Sequence, residues 1–343
     1  MAQHRTRQEC LDLLKAENHV VAPGQKVVLD GFRPGDAEGI ARIYYAIYGD
    51  TFPIDYVYDP ERIRAANETT DLYHVVGRTE SGDIVGVMAL FRSAPGAGIL
   101  ESGGLMILPE YRQGMLLYRL YDRNQKLARS LGWLNAEYSQ MVTDIETPQR
   151  MSNRFGARGL ALELEAMGPR PGGDGRRMSF VDEFIVLRDV PQDVHLPEPY
   201  AGLLSGQYAS FGLERRFLPG REPAGRTRLE RGELAWADQV KILVAEIGAD
   251  FDQALREADQ GNASRVVQLL LPLTDPGLPR AVELARAQGF WLGGLLPLWT
   301  DADVLLLQKL PARPDFDAVF LLTDEAQALM RQVRADFEDV SGL

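Results

Sequence analysis

Carboxylates set inside predicted strands, and an arginine and a glycine set between a strand and a helix, are the residues here whose types and spacing could do chemistry. Glu101 stands in the apolar run "GILESGGLMIL". A carboxylate there could take a proton from an ammonium group, directly or through water, if burial raised its pKa toward neutrality. Glutamates on strands more often face solvent, and Glu137 in "WLNAEYS" competes for the same role. The second group is "LPEYRQGMLLYRLY", Leu108 to Tyr121. A helix starting there would offer unpaired N–H groups and about half a positive charge, a place for a pyrophosphate. Arg112 could add a charge-assisted contact. The same junction also reads as a bare connector.

Positioning these residues falls to elements that the hydrophobic pattern outlines. "KVVLDGF" predicts a strand, and Asp36 a helix N-cap before Ile40, Ile43, Tyr44 and Ile47, which recur at helical spacing up to Gly49. "LYHVVGR" and "IVGVMALFR" predict a hairpin about Ser81-Gly82-Asp83. A third long strand runs from Ile99 to Leu108, and Gly103-Gly104 inside it predict a bulge or a close backbone approach. The next helix carries Leu117, Leu120, Tyr121, Leu127 and Leu131 on one face and stops at Gly132. "TPQRMSNRFG" predicts a short helix ended by Gly156, followed by the strands "LALELEA" and "SFVDEFIVL" around a glycine-rich basic loop, best read as solvated.

"RDVPQDVHLPEPY" has three prolines and predicts a linker. Beyond it, strands and helices alternate to a last amphipathic helix from Thr323 to Asp339. A helix, a glycine and two strands close each half, once after Gly156 and once after Gly289. The expected organisation is a helical extension at 1–22, a first domain at 23–188, a linker at 189–200 and a second domain at 201–343.

Composition narrows the function classes. At 343 residues, with 45% hydrophobic and 25% charged, the chain is long enough for two cores. A net charge of −12 opposes nonspecific binding to nucleic acid or anionic membrane, so a phosphate ligand needs a local device. A lone cysteine, Cys10, excludes a disulfide framework, and His4, His19, His74 and His195 lack ligand spacing, so no metal site is expected. No apolar run is long enough to span a bilayer and the N-terminus lacks a signal-like core, so a cytoplasmic location is expected.

Residues 26–188 resemble, in element order, the GNAT superfamily of acyl-CoA-dependent N-acyltransferases. "GGLMILPEYRQGMLLYRLYDRNQKLARSLGW" is similar to its central signature, a hydrophobic–x–Pro–x–Tyr–Arg run before a glycine-rich turn that opens a helix. "LARAQGFWLGGLLPLWTDADVLLLQKL" is similar to its C-terminal signature. The resemblance implies an α/β (α+β) fold of two GNAT-like mixed sheets flanked by helices, the first unit complete and the second degenerate. It implies that acetyl-CoA or another acyl-CoA is the co-substrate. The backbones of Met106, Ile107 and Leu108 would meet its pantetheine arm, and Arg112, Gln113, Gly114, Met115, Leu116 and Leu117 its pyrophosphate. The family often uses a tyrosine on the short helix to protonate the leaving thiolate; that helix has none here, and Tyr138 is the nearest candidate. The family pattern is Arg-x-x-Gly-x-Gly/Ala, yet Met115 and Leu117 hold its glycine positions and Gly114 comes one position early. Either the loop is re-registered about Gly114, or coenzyme A binding is weakened or lost.

The expected function is direct transfer of an acetyl or other short acyl group from coenzyme A to a small-molecule amine. Glu101 would be the base, with Glu137 as its competitor. Partners would be that amine and neither nucleic acid nor membrane; a homodimer stays open. The rival readings are a noncatalytic module that binds a ligand or a protein, and an acyltransferase fed by a carrier-protein thioester.

Overall fold

A computed structural model describes residues 5–169 and 174–343, which fall into two compact units. Unit 1 comprises residues 1–93 and 100–134, and unit 2 residues 94–99 and 135–343.

Unit 1 opens with α1 (Arg7–Glu17), started by a capping box between Thr6 and Glu9 and burying Cys10, Leu11 and Leu14. It continues through β1 (Val27–Gly31), α2 (Ala37–Tyr48), α3 (Pro60–Asn67), β2 (Leu72–Thr79), β3 (Ile84–Phe91), β4 (Ile99–Ile107) and α4 (Leu116–Ser130). The four strands form an antiparallel sheet in chain order. Side chains alternate across a sheet, so its two faces take different helices. A Cβ on Gly86 would meet Leu116 and Leu120 of α4, whereas one on Gly104 would meet Ala89 and the Tyr44 hydroxyl of α2. Two expectations change here. Asp36 does not cap α2 with its side chain; its carboxylate takes both guanidinium arms of Arg78, at 2.8 and 2.6 Å. The inner stripe of α4 is Leu116, Leu120, Tyr121, Asn124, Gln125 and Ala128, while Leu117 and Leu127 are half-buried. The stripe keeps the 3.6-residue period but passes through two amides, which a search for apolar residues steps over.

Unit 2 comprises β5 (Ala136–Val142), α5 (Glu146–Arg154), β6 (Arg158–Met167), β7 (Met178–Val186), β8 (Gln192–Val194), α6 (Ala201–Phe211), β9 (Arg215–Phe217), β10 (Arg228–Leu234), β11 (Gln239–Glu246), α7 (Phe251–Asp259), β12 (Val266–Pro272), α8 (Leu278–Ala287), β13 (Trp291–Leu296), β14 (Val304–Lys309) and α9 (Asp324–Ser341). The predicted strand at "WLNAEYS" starts three residues later, at Ala136, and runs on to Val142. The echo after Gly156 and Gly289 is a repeated motif. β5-α5-β6-β7 gives the strand order β5-β7-β6, and β12-α8-β13-β14 gives β12-β14-β13. The copies meet where Gly294 of β13 pairs with Ala161 of β6. A Cβ at Gly294 would lie 2.3 Å from the Leu160 carbonyl oxygen, so only glycine lets the two backbones approach.

Segment 189–200 is built into unit 2. β8 pairs in parallel with β9, and Val194, His195 and Tyr200 are buried. β10, in a charged stretch that the sequence outlines only as hairpin-like, is an edge strand paired antiparallel with β11, its side chains largely charged and exposed. Arg176 and Asp174 of the basic loop pair with each other, while His4 and residues 170–173 of that loop lie outside the described residues.

Candidate functional site

β4 is interrupted beside Glu101. Opposite Val87 to Ala89 its register slips between Met106 and Gly103, so Gly104 and Leu105 together face Met88. Gly104 has φ +61°, a conformation most L-residues avoid, and this is the bulge that the glycine pair predicts. Glu101 is half-buried on the face of α2: its Oε1 lies 3.4 Å from where a Gly103 Cβ would stand, with the Phe91 ring next to it. Ser102 points the other way, where the Asn124 side chain of α4 donates to its hydroxyl at 2.9 Å.

The strand then feeds the turn. The Leu108 amide donates to Val85 at 3.0 Å, toward β3. Because amides alternate along a strand, Ile107 is the one of Met106, Ile107 and Leu108 whose amide faces away from β3. The Ile107 carbonyl takes the Arg112 Nε at 3.0 Å, folding that side chain back over the end of its own strand. Tyr111 is buried and donates to Ala22 at 2.6 Å, tying segment 18–22 to the turn. Arg112, Gln113, Gly114 and Met115 are exposed, Gly114 has φ +99°, and Leu116 is buried. Met115 gives α4 no side-chain cap, and the first turn of α4 has no acidic residue. Neither the cap nor the first turn of α4 thus compensates the positive end of its dipole.

Beside this turn His19, Arg42, Ile43, Ile84, Asp83 and Glu110 line a cleft of about 330 Å³. On its rim His19 meets Asp83 at 2.7 Å, and Arg42 pairs with Glu17 at 2.7 Å. Burial pushes the imidazole of His74 down to about 4; one ring nitrogen meets the Asn67 side chain, so this histidine is neutral near pH 7. No three His, Cys, Asp or Glu residues among the described ones are grouped to hold a metal, and no described helix is long and apolar enough to cross a membrane.

Glu137 and Tyr138 belong to unit 2, and neighbours on a strand point to opposite faces. They are therefore not a joined acid–base pair. Tyr138 is a core ring, 2% exposed, stacked on Phe184 at 5.7 Å and edge-on to Trp299 at 4.8 Å. Glu137, also 2% exposed, shares its face with Ser139, which pairs across to Glu183 of β7. Glu183 escapes a reading by motif, although "VDEF" gives a usable signal: two adjacent carboxylates within an apolar strand place one on each buried face. Burial, opposed by a hydrogen bond from the Ser152 hydroxyl, raises the Glu183 carboxyl to about 7.

The strand–helix–strand unit that leads into the second copy of the motif, β11-α7-β12, contrasts with the turn of unit 1. β11 and β12 are parallel strands joined through α7 and paired from Gln239–Val266 to Leu243–Leu270. The amides entering α7 are already engaged: Ile247 by Asp275 at 2.9 Å, Gly248 by Thr227 at 3.1 Å and Ala249 by Gly225 at 3.1 Å. A Cβ on Gly248 would lie 2.2 Å from the backbone of Arg226 and Thr227. With Asp250 and Asp252 at this end, a phosphate meets closed backbone and negative charge.

No protein-family model and no curated protein matches the chain. Solved structures of GNAT acetyltransferases match about half of it. Arabidopsis thaliana NAA60, in complex with a bisubstrate analogue, is 13% identical over 47% of this chain and 98% of its own, with a TM-score of 0.37. A dodecameric spermidine N-acetyltransferase from Vibrio cholerae is 13% identical over 47% and 94%, with a TM-score of 0.38. A ribosomal-protein-S5-alanine acetyltransferase from Vibrio fischeri is 10% identical over 50% and 98%, with a TM-score of 0.39. Likeness at this level leaves the function to the chain's own residues.

Proposed function

We infer that the chain is a GNAT-type N-acyltransferase that moves an acetyl or other short acyl group from coenzyme A directly to the amine of a small molecule. One observation carries this: a single strand joins the bulge at Gly104, with Glu101 beside it, to an uncapped helix N-terminus behind a left-handed Gly114. An N-terminus with no cap and no acidic first turn suits a pyrophosphate, and an exposed arginine next to it adds positive charge. The residues that would hold the co-substrate are Gly114, Met115, Leu116 and Leu117 through their amides, Arg112 through its guanidinium and Ile107 through its backbone. The bulge would release β4 backbone for the pantetheine arm, and Glu101 would take the proton that the amine loses. The closed entrance to α7 supports assigning the second copy a structural part without a co-substrate of its own.

A noncatalytic binding module is the second reading, favoured by Met115 and Leu117 at the family's glycine positions and by the Arg112 Nε turned onto Ile107. A thermal-shift titration with acetyl-CoA, desulfo-CoA and free pantetheine tests co-substrate binding. At a hundredfold excess over Kd, linkage gives about 2.7 kcal/mol of stabilisation. The loop is then tested with Gly114→Val. A side chain at Gly114 meets nothing within 4 Å, but φ +99° strains any β-branched residue. The expected result is acetyl-CoA affinity lowered at least ~10-fold, about 1.4 kcal/mol, with an unchanged circular dichroism spectrum. Unaltered affinity in calorimetry would make the turn a connector.

A further inference from the structure

The Tyr44 side chain of α2 is 6% exposed and packs edge-on to the Phe52 ring at 5.0 Å. Its hydroxyl stands over the break in β4, 3.5 Å from where a Gly104 Cβ would lie. Among the described residues nothing hydrogen-bonds to that hydroxyl. A buried tyrosine ordinarily finds a partner for its O–H, and nearby Tyr58 does so, accepting the Phe52 amide at 3.3 Å. Tyr44 holds a donor in reserve.

The bulge decides what that donor faces. Glu101 and Gly103 pair with Phe91 and Ala89 of β3. The extra residue turns Gly104 to the same side, where its missing Cβ would meet Ala89 as well as Tyr44. The Glu101 carboxylate lies beside Gly103 and the Tyr44 hydroxyl over Gly104, so a base and a neutral donor share one side of the break, all within unit 1. Acyl transfer asks for two such groups, one for the proton that nitrogen loses and one for the charge that gathers on the carbonyl oxygen. Protonating the departing sulfur is a different task, and Tyr44 is ill suited to it. Burial, with the nearby hydroxyls of Tyr56, Tyr48 and Tyr58, pushes its pKa up. Such a phenol gives up its proton reluctantly but always has one to share.

We propose that the Tyr44 hydroxyl is a catalytic hydrogen-bond donor to the thioester carbonyl oxygen of the acyl-CoA. This rests on the acyl-transfer reading. The amine lone pair forms the C–N bond while the carbonyl π electrons move onto oxygen, which accepts the Tyr44 hydrogen bond; the phenol keeps its proton. The C=O bond then re-forms and the C–S bond breaks with its electron pair on sulfur. The proton from nitrogen goes to Glu101 and from there to solvent, and the thiolate takes a proton from water.

The test needs no acceptor. Acetyl-CoA carrying 13C at the thioester carbonyl is bound to the full chain, and its carbonyl stretch is followed by isotope-edited infrared spectroscopy. A hydrogen bond weakens the C=O bond, so the band is expected at lower frequency bound than free. Tyr44→Phe keeps the ring on Phe52 and removes only the hydroxyl. It is expected to return most of that shift, with acetyl-CoA affinity in calorimetry nearly unchanged. Replacing Tyr44 by 3-fluorotyrosine, whose more acidic hydroxyl donates more strongly, is expected to lower the band further. A shift that neither replacement moves would overturn the donor role and leave acetyl-CoA binding standing. A wild type that binds no acetyl-CoA would sink the acyl-transfer reading and the donor role with it. In thiol release with small amines, Tyr44→Phe is expected to lower kcat roughly a hundred- to thousandfold, the usual worth of one oxyanion donor, with KM for acetyl-CoA little changed. That loss should persist at high pH, because it does not depend on the proton of the amine. A loss that fades there would make Tyr44 a proton carrier and overturn the proposal.

Discussion

Glu101→Gln is expected to reduce turnover by roughly a hundred- to ten-thousandfold, the usual worth of a positioned base, while acetyl-CoA affinity stays within about twofold. Glutamine keeps the shape of the side chain and removes its capacity to accept a proton. The structural reason to choose Glu101 is its place: on the α2 face of β4, three residues before the bulge at Gly104, with Phe91 alongside. A half-buried carboxylate next to a local break in a sheet can meet a substrate that an unbroken ladder would exclude. The loss should shrink at high pH, where the amine arrives already deprotonated. Thiol release from acetyl-CoA with a panel of small amines measures this. Equal rates for wild type and variant would shift the role to Glu137, which lies on the buried face of β5. A rate loss that does not shrink with pH would point to displaced packing about Phe91 instead of a lost base.

Where a residue's backbone conformation or period gave the signal, the sequence could be read far. Gly103-Gly104 marked the bulge because only glycine takes φ +61° without strain inside a strand. The glycines Gly156 and Gly289 marked the repeated motif, since each follows a helix at positive φ before a strand hairpin. The last helix, expected from Thr323, begins just after it, with the Thr323 hydroxyl accepting the Ala326 amide as its N-cap.

What could not be read was polarity in places where burial is decided by distant chain. Asn124 and Gln125 sit on the inner face of α4, and the Asn124 partner is Ser102, more than twenty residues earlier. The stretch around Glu183 shows only that one of two adjacent carboxylates must face each side of β7; that the strand sits between β5 and β6 is set by distant chain. Closure of the α7 entrance requires residues 225–227 to lie against Gly248, a contact with no local sequence pattern. Prolines in 189–200 suggested a loose connection, yet the segment holds a strand whose partner is β9. Charge and proline content report local preference, and tertiary pairing overrode it in each case.

The same override gives the largest expected effect on stability, from Asp303→Ala. The turn "WTDAD" reads as a simple hairpin connection, but Asp303 at its end is fully buried against Arg215, also fully buried, with Nε–Oδ2 at 2.6 Å and Nη2–Oδ1 at 3.2 Å. Asp303 Oδ1 also accepts the Leu298 amide at 3.0 Å, where φ is +56°, and the Asp303 amide donates to Gln192 at 3.0 Å. The carboxylate thus fixes the strained turn and the start of β9, and the Asp303 backbone amide ties in the segment at 189–200. Alanine leaves the Arg215 charge buried with Asp189, at 2.8 Å, as its remaining ion-pair partner among the described residues, and leaves the Leu298 amide unsatisfied. Breaking one side of a buried pair typically costs about 3–5 kcal/mol. For a unit of this size each kcal/mol lowers Tm by about 2–4 °C, so the unfolding transition of unit 2 should drop by roughly 10 °C. Replacing both partners, Arg215→Met with Asp303→Leu, should recover much of that loss, because no uncompensated charge then remains in the core. A single variant that melts within about 2 °C of wild type would show that the pair is hydrated in solution. A double variant no better than the single one would show that the hydrogen bond from the Leu298 amide, rather than the charge of Arg215, holds the turn.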